Sequence, residues 1–247
     1  MWDTNKRNRL CASFGPLGLK LFDQFQFGNL EKVVLPAIKH PFTLRYDTSD
    51  IPVFDQVFLN EEYNIKLTTP QVVIDGGANI GLFALYIKNK YPEAKIICIE
   101  PDLENFKVLQ KNTSLYDNIF CENYGLWNKD AKLRVYDKYD MGKWAMVVEE
   151  DSMNGNISAV SLKVVMEKYS IDRIDVLKLD IETSEKQLFF DNYDYWLPKT
   201  KIIIIELHDW MEDGCSKPFF EAINKTFSKY KFSMIGENVV IENKDLN

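Results

Sequence analysis

The sequence contains little histidine and cysteine, and its basic residues do not outnumber its acidic ones. Among 247 residues there are 2 histidines, and 30 lysines and arginines against 37 aspartates and glutamates give a formal net charge of −7. A surface that binds the phosphate backbone of nucleic acid normally carries a basic stripe, so we expect no nucleic acid partner. The 4 cysteines form no CxxC pair and no metal-ligand spacing, which argues against a zinc module and favours free thiols.

Long hydrophobic runs are also missing. No stretch approaches the roughly 18 uninterrupted apolar residues that a membrane-spanning helix requires. The first 20 residues lack the apolar segment and small-residue cleavage site of a secretory signal. We therefore expect no membrane span and a cytoplasmic location. With 46% hydrophobic residues, the chain can form one sizeable core.

From residue 71 onward, short apolar runs alternate with amphipathic stretches. This order is typical of parallel strands joined by crossover helices. The predicted strands are residues 72–75, 96–100, 119–124, 176–180 and 202–207, and helices are predicted at 80–89 and 102–112. We expect an α/β fold with a mostly parallel sheet and helices on both faces.

Two regions depart from this rhythm, and the N-terminal part is less regular. Residues 126–158 contain a predicted extra strand at 132–137 and a loop rich in Asn, Gly and Ser at 151–158, which we interpret as a hairpin inserted in the sheet. The runs 232–235 and 239–242 flank a Gly-Glu-Asn turn and predict an antiparallel C-terminal hairpin at the sheet edge. Residues 1–70 are predicted to be an extension that packs on a domain formed by residues 71–247. Residues 1–41 would suit an interface, a lid or a cover of the sheet, so a homo-oligomer remains open.

Small residues follow the first predicted strand directly. After Asp75 come Gly76, Gly77, Ala78 and Asn79, and then, after one isoleucine, Gly81. Small residues at the carboxyl end of a central strand let the backbone approach a ligand closely. A dinucleotide fingerprint needs Gly-x-Gly-x-x-Gly, and the middle glycine is missing here. The loop is therefore a poor match to the dinucleotide fingerprint.

A second carboxylate, Glu100, ends the next predicted strand, 19 residues beyond Gly81. An acidic residue there can accept hydrogen bonds from both ribose hydroxyls of an adenosine, in NAD enzymes and in others. Glu100 therefore indicates adenosine without choosing the cofactor. The alternative is that Asp75 only starts a helix and that Glu100 is a surface carboxylate.

Several separated motifs resemble the FkbM family of methyltransferases, over residues 41–209. The matching segments are residues 74–81, 99–101, 42–45 with 48–50 and 62–63, 174–185 and 204–208. Residues 174–185 are similar to the family's D-L-x-K-x-D-x-E-G-x-E run, with Thr183 where the family usually has Gly. Because Thr is disfavoured at positive φ, this substitution raises the question of how the turn is built.

The resemblance implies a Rossmann-like class I methyltransferase fold with a seven-stranded sheet, and S-adenosylmethionine as cofactor. It implies methyl transfer to a hydroxyl of a sugar, polysaccharide, glycolipid or secondary metabolite, so the partner is a small-molecule or glycan acceptor. Asp75 would lie near the ammonium of the cofactor. The cofactor-binding residues predicted in this way are Asp75, Gly76, Gly77, Ala78, Asn79, Gly81, Glu100, Pro101, Tyr124, Gly125 and Asp180.

An alcohol acceptor must lose a proton during methyl transfer. The carboxyl ends of the fourth and fifth predicted strands should bring together Asp180, Glu182, Glu206, His208 and Asp209. Of these, we predict His208, Asp180 and Glu182 to be catalytic. His208 is the candidate general base, because the ordinary pKa of histidine is about 6.5, although a purely structural histidine fits equally well. The same side chains suit a divalent cation, but their spacing does not require one, so no residue is assigned as a metal ligand. Residues 136–144 and the loop near Asn154 are predicted to contact the acceptor.

Two other functions remain open at this point. An NAD-dependent oxidoreductase or epimerase would need a better glycine fingerprint and usually a Tyr-x-x-x-Lys pair, and the cofactor region offers neither. A non-catalytic adenosine-binding protein could share the fold, because a fold alone does not establish an activity.

Overall fold

The computed structural model describes residues 4–137 and 146–246. Its strands in chain order are β1 Val72–Gly76, β2 Lys95–Ile99, β3 Ile119–Glu122, β4 Gly125–Leu126, β5 Ala131–Asp137, β6 Met146–Glu150, β7 Ile157–Val160, β8 Ile174–Leu179, β9 Thr200–Glu206, β10 Tyr230–Ile235 and β11 Asn238–Asn243. The α-helices are α1 Thr4–Phe14, α2 Pro16–Gln26, α3 Asp50–Phe54, α4 Leu82–Lys90, α5 Leu103–Thr113, α6 Leu162–Lys168, α7 Glu185–Leu188 and α8 Ser216–Thr226. A π-helical turn at Asp55–Leu59 continues α3, and a 3-10 turn at Leu197–Lys199 precedes β9.

Seven strands form the central sheet, in the order β10-β11-β9-β8-β1-β2-β3. The pairs from β3 to β9 are parallel, whereas β11 runs antiparallel to both β9 and β10. The central strands are runs of valine, isoleucine and leucine because both of their faces are covered. The predicted mostly parallel seven-stranded sheet with an antiparallel C-terminal hairpin is confirmed.

Alternate side chains of the sheet enter two separate apolar cores, one on each face. One core joins the strand residues Val73, Ile96, Val176 and Ile204 to Leu85 of α4, Leu109 of α5 and the N-terminal residues Leu10, Phe25 and Phe54. The other joins Ile74, Ile97, Leu177 and Ile203 to Met166 of α6, Leu188 of α7 and Phe219 of α8. Helices therefore cover both faces, as predicted. None of the described helices is both long enough and apolar enough to cross a bilayer.

The N-terminal helices contribute large buried side chains to the first of these cores. The rings of Phe25 and Phe54 are fully buried and meet edge to face with centroids 4.9 Å apart. Fully burying a side chain of this size contributes about 1.5–3 kcal/mol, so α2 and α3 are anchored on the sheet. The division into an extension over residues 1–70 and a domain over residues 71–247 stays a prediction.

The prediction of a hairpin inserted in the main sheet is wrong. The extra strand exists as β5, but it belongs to a second, four-stranded sheet in the order β4-β7-β5-β6. This sheet has a small core of its own, formed by Trp127, Leu133 and Ala159. Because the strands of this second sheet pair with each other, none of them is inserted between β3 and β2 in the main sheet. Part of the predicted acceptor segment 136–144 lies outside the described residues.

Candidate functional site

The carboxyl ends of β1, β2 and β8 meet at one edge of the sheet because the strands are parallel. The backbone N–H groups of Gly77 and Ala78 both donate to the carbonyl oxygen of Ile99, at 2.9 and 3.0 Å. Gly77 has φ +71°, and a Cβ atom there would lie 1.8 Å from the carbonyl oxygen of Asp180. Only glycine lets the loop cross the end of β8 this closely.

Glu100 ties this loop to the start of α5. One carboxylate oxygen accepts from the backbone N–H of Asn79 at 2.7 Å, and the other accepts from that of Asp102 at 2.9 Å. Glu100 is 5% exposed, and burial raises the pKa of its carboxyl to about 7, against the opposing effect of the two N–H donors. Each oxygen keeps a lone pair for a ligand hydroxyl, so the geometry agrees with the predicted ribose contact, which stays a prediction.

Asp75 has a lysine of the protein beside it. Its carboxylate is fully buried, and the Lys178 ammonium lies 3.3 Å from Oδ1. The same ammonium donates to the carbonyl oxygen of Gly77 at 2.8 Å. Burial raises the pKa of Asp75 and Lys178 lowers it. Burial also opposes the charge of Lys178, but Asp75 and Asp180 outweigh that effect and raise its pKa. Asp75 therefore has a cationic partner within the protein, and its predicted proximity to the ammonium of the cofactor stays a prediction.

The other predicted cofactor residues differ in how accessible they are. Gly76, Ala78, Gly81 and Gly125 are buried, whereas Gly77, Asn79, Pro101, Tyr124 and Asp180 are partly exposed. The buried set shapes the loop and the core, and the partly exposed set is the one that a ligand can touch directly. All of these assignments stay predictions.

Two residues of this group carry specific observations. Asn79 has φ +47°, and its buried Oδ1 has no hydrogen-bond partner in the described part of the chain. A Cβ atom at Gly125 would lie 3.2 Å from a methyl of Leu133, so the small sheet by itself explains a glycine there. An orphaned buried acceptor beside Glu100 is the kind of group that a bound ligand satisfies.

Asn123 is a residue that sequence reasoning did not assign. Its Nδ2 donates to the carbonyl oxygens of Glu100 and Pro101, at 2.8 and 3.0 Å. These bonds tie the segment after β3 to the end of β2, and β3 ends at Glu122 and not at residue 124 as predicted. Since the partners are carbonyl oxygens at the end of the neighbouring strand β2, no sequence motif indicates them.

On the other side of the same edge, three ionisable side chains converge. His208 Nε2 lies 3.7 Å from an oxygen of Asp180 and 3.7 Å from an oxygen of Glu206. One ligand atom from each of the three lies within 4.8 Å of the others. We call these three residues the rim cluster. The predicted proximity of Asp180 and His208 is thus present, and Glu206 completes the group.

Glu185 holds the histidine in place. Its fully buried carboxylate lies 3.0 Å from His208 Nδ1 and also accepts from the backbone N–H of Ile181 at 3.0 Å. The Cys215 thiol lies 3.6 Å from the second carboxylate oxygen. Sequence reasoning did not assign this role to Glu185, because the contact depends on how helix α7 packs against the end of β9.

The surrounding carboxylates set the charge of His208. Burial opposes protonation, but the Glu185 contact and the charges of Glu185, Asp180 and Glu206 outweigh it and raise the pKa of His208 to about 9. Burial and Asp180 raise the pKa of Glu206 to about 7, against the effect of His208. The three carboxylates therefore favour the protonated form of His208. A protonated imidazole cannot accept a proton, so the predicted general-base role requires that this proton be displaced first.

The turn between β8 and α7 contains two residues in the left-handed region. Glu182 has φ +45° and Thr183 has φ +74°. The turn expected from glycine is therefore kept with a β-branched residue, which is a strained arrangement. Glu182 is exposed and is not one of the three residues of the rim cluster, although its charge interacts with those of Asp180 and His208. Its catalytic role stays a prediction.

A tyrosine from the N-terminal region also lies within electrostatic reach of this edge. Tyr63 is 3% exposed, and its ring meets Phe83 edge to face at 4.9 Å. Burial and the charge of Asp180 raise the pKa of its hydroxyl, against the effect of Lys178. Sequence reasoning noted Tyr63 in a matching segment without giving it a role.

Comparisons with known sequences agree with this geometry. Residues 75–234 match the family model described as Methyltransferase FkbM domain. Methyltransferase sdnD of Sordaria araneosa is 27% identical over 207 residues, which cover 69% of this chain and 78% of that protein. Methyltransferase 1 of Beauveria bassiana is 24% identical over 181 residues, covering 64% of this chain and 73% of that protein.

One further relative is much longer than this chain. The AMB antimetabolite synthetase AmbE of Pseudomonas aeruginosa is 25% identical over 237 residues, which cover 78% of this chain but 11% of that protein. Among solved structures, the methyltransferase FkbM from Methylobacillus flagellatus KT superposes with a TM-score of 0.52 at 13% identity, covering 73% of this chain and 45% of that one. This likeness concerns the fold alone, and it confirms the predicted Rossmann-like class I architecture.

Proposed function

The chain belongs to the FkbM methyltransferase family, and we propose that it transfers a methyl group from S-adenosylmethionine to a hydroxyl oxygen of a small molecule or glycan. The acceptor class is a sugar, polysaccharide, glycolipid or secondary metabolite. One observation carries the proposal: a glycine loop, a strand-end glutamate and the rim cluster all lie along one carboxyl edge of the sheet. Ligands of open α/β sheets bind outside this edge.

Glu100 is the proposed anchor for the adenosine. Its lone pairs accept the ribose hydroxyls, while its bonds to the N–H groups of Asn79 and Asp102 hold the carboxylate still. The partly exposed Gly77, Asn79 and Pro101 line the cofactor, with Tyr124 on the adenine side. The buried Asp75 acts indirectly, because it fixes the Lys178 ammonium under the loop.

The rim cluster is the proposed acceptor side. Bound S-adenosylmethionine supplies an electrophilic methyl group, and the protein must align an acceptor oxygen with it and let the alcohol proton leave. Asp180 lies between the two halves of the edge, 3.9 Å from Lys178 and 3.7 Å from His208. It is therefore the residue best placed to contact both the cofactor and the acceptor.

Isothermal titration with S-adenosylhomocysteine tests the cofactor assignment. We expect saturable binding, weakened about tenfold or more by Glu100→Gln, because the amide places N–H donors where the carboxylate accepts hydrogen bonds. The matched control is Glu104→Gln on helix α5, which follows Glu100. The carboxylate of Glu104 is exposed and pairs with Lys107, so this substitution should leave binding unchanged.

Two results would contradict the assignment. If the titration showed no heat of binding at millimolar S-adenosylhomocysteine, the proposed cofactor would be refuted. Binding of NADH in its place would favour the oxidoreductase or epimerase alternative. Circular dichroism of each variant checks that a loss of binding does not come from a loss of fold.

A further inference from the structure

We propose that Asp180, Glu206 and His208 bind a divalent metal ion of the Mn²⁺ or Zn²⁺ kind, with open positions that face the acceptor. The inference rests on the proposed function in one respect only, namely that the group which reaches the open positions is the methyl acceptor. The binding of the ion follows from the three side chains themselves. In this assignment His208 is a ligand through Nε2 and not the general base.

The separations within the rim cluster suit an ion better than they suit hydrogen bonds. Both carboxylate oxygens lie 3.7 Å from His208 Nε2, beyond the usual hydrogen-bond limit of about 3.2 Å. Donor atoms that share one metal with bonds of about 2.0–2.2 Å lie roughly 3 Å apart. Small rotamer adjustments of Asp180 and Glu206, which are both partly exposed, therefore bring all three donors to one ion.

The state of His208 is an independent observation that points to a ligand. Its side chain is 4% exposed, yet Nε2 donates no hydrogen bond to any described residue and faces the two carboxylates. Nδ1 is held at 3.0 Å by the fully buried Glu185. A carboxylate on one ring nitrogen fixes the orientation and tautomer of a histidine that binds a metal through the other.

The balance of charge around the rim cluster also favours a cation. Besides Asp180 and Glu206, the negative charges of Glu185, Glu182 and Glu237 interact electrostatically with residues of the cluster. The nearest lysine, Lys178, is closer to Asp75 than to Asp180, at 3.3 Å against 3.9 Å. A divalent ion would offset carboxylates that the protein itself leaves only partly neutralised.

The donor set indicates the kind of ion. One imidazole nitrogen and two carboxylate oxygens suit Mn²⁺, Co²⁺ and Zn²⁺, whereas Ca²⁺ and Mg²⁺ sites are usually all oxygen. Three protein ligands leave at least one coordination position open, as in catalytic metal sites. An acceptor hydroxyl in that position would lose its proton more readily, because a bound cation lowers its pKa.

Electron paramagnetic resonance with Mn²⁺ as the probe tests the site without any methyl-transfer assay. The full chain is freed of metal with EDTA and titrated, and loss of the free Mn²⁺ signal reports binding. We expect one ion per chain and at least a tenfold loss of affinity in Glu206→Gln and in His208→Gln. The matched control is Glu212→Gln, because Glu212 follows in the same loop but pairs with Lys186 at 2.8 Å.

Every outcome separates this inference from the proposed function. An unchanged free Mn²⁺ signal, together with no calorimetric binding of Zn²⁺, overturns the metal site. Equal affinities in the rim variants and the control also overturn it. Binding of S-adenosylhomocysteine without metal binding refutes the metal site alone, whereas metal binding without S-adenosylhomocysteine binding refutes the proposed cofactor alone. Thermal unfolding of each variant confirms that it is folded.

Discussion

The two halves of the carboxyl edge treat their buried charges differently. On the cofactor half, Glu100 accepts two backbone N–H bonds and Asp75 has the Lys178 ammonium beside it. On the acceptor half, Asp180 and Glu206 face His208 at 3.7 Å, beyond hydrogen-bond distance. The comparison indicates that backbone N–H groups and a lysine lie beside the buried carboxylates of the first half, whereas in the second half we propose that a metal ion is the partner.

The difference follows from where the partners come from. In the cofactor half, backbone N–H groups at the loop and at the start of α5 converge on one carboxylate, and the register of β1 and β8 places Lys178 opposite Asp75. The rim cluster instead combines side chains from the ends of β8 and β9, with only Glu185 behind them. Backbone donors have fixed positions, while side chains at strand ends can move onto an ion.

The largest expected effect on stability comes from a substitution that disrupts the cofactor half. Lys178→Met should reduce the free energy of unfolding by about 3–5 kcal/mol, because it leaves the buried Asp75 without its counter-charge. Urea denaturation measures the change. Lys231→Met, at an exposed position of β10, is the control and should change stability by less than about 0.5 kcal/mol.

A double variant sharpens this prediction. Adding Asp75→Asn to Lys178→Met should recover a large part of the lost stability, since no buried charge is then left unpaired. If the single Lys178→Met variant lost under 1 kcal/mol, the pair would not be the electrostatic support that the comparison assigns to this half.

The smallest expected effect concerns the turn beside the rim cluster. Thr183→Gly should stabilise the fold by up to about 1 kcal/mol, because glycine adopts the observed φ of +74° without strain. Thr226→Gly is the control, since Thr226 ends helix α8 and glycine there is expected to destabilise. Differential scanning calorimetry measures both, and a loss of stability in Thr183→Gly would show that the threonine side chain outweighs its backbone strain.

Much of the fold follows from local sequence pattern. The buried runs of β1, β2, β8 and β9 and the Gly-Glu-Asn turn of the C-terminal hairpin are local signals, and the sheet that they predict is confirmed. The second sheet was missed because its pairing joins Gly125 to Ala159, and a two-residue strand has no periodicity that a sequence can show. Strand order and the pairing of distant short segments are not local properties.

The position of the candidate site was easier to predict from the sequence than the hydrogen-bond and ion-pair partners of its residues. Strand ends and the glycine loop located Glu100, Asp180 and His208 at one edge. The partners Lys178 and Glu185 depend on strand register and on the packing of α7, so they appeared only in the structure. The charge of His208 depends in turn on those carboxylates, which is why its ordinary pKa was a poor guide to its chemistry.

The most direct measurement of the central claim is a crystal structure of the chain with S-adenosylhomocysteine. We predict that its ribose hydroxyls lie within hydrogen-bond distance of the Glu100 carboxylate, and that the adenosine lies on the loop formed by Gly77 and Asn79. A ligand bound away from this edge, or an edge that side chains fill completely, would contradict the account.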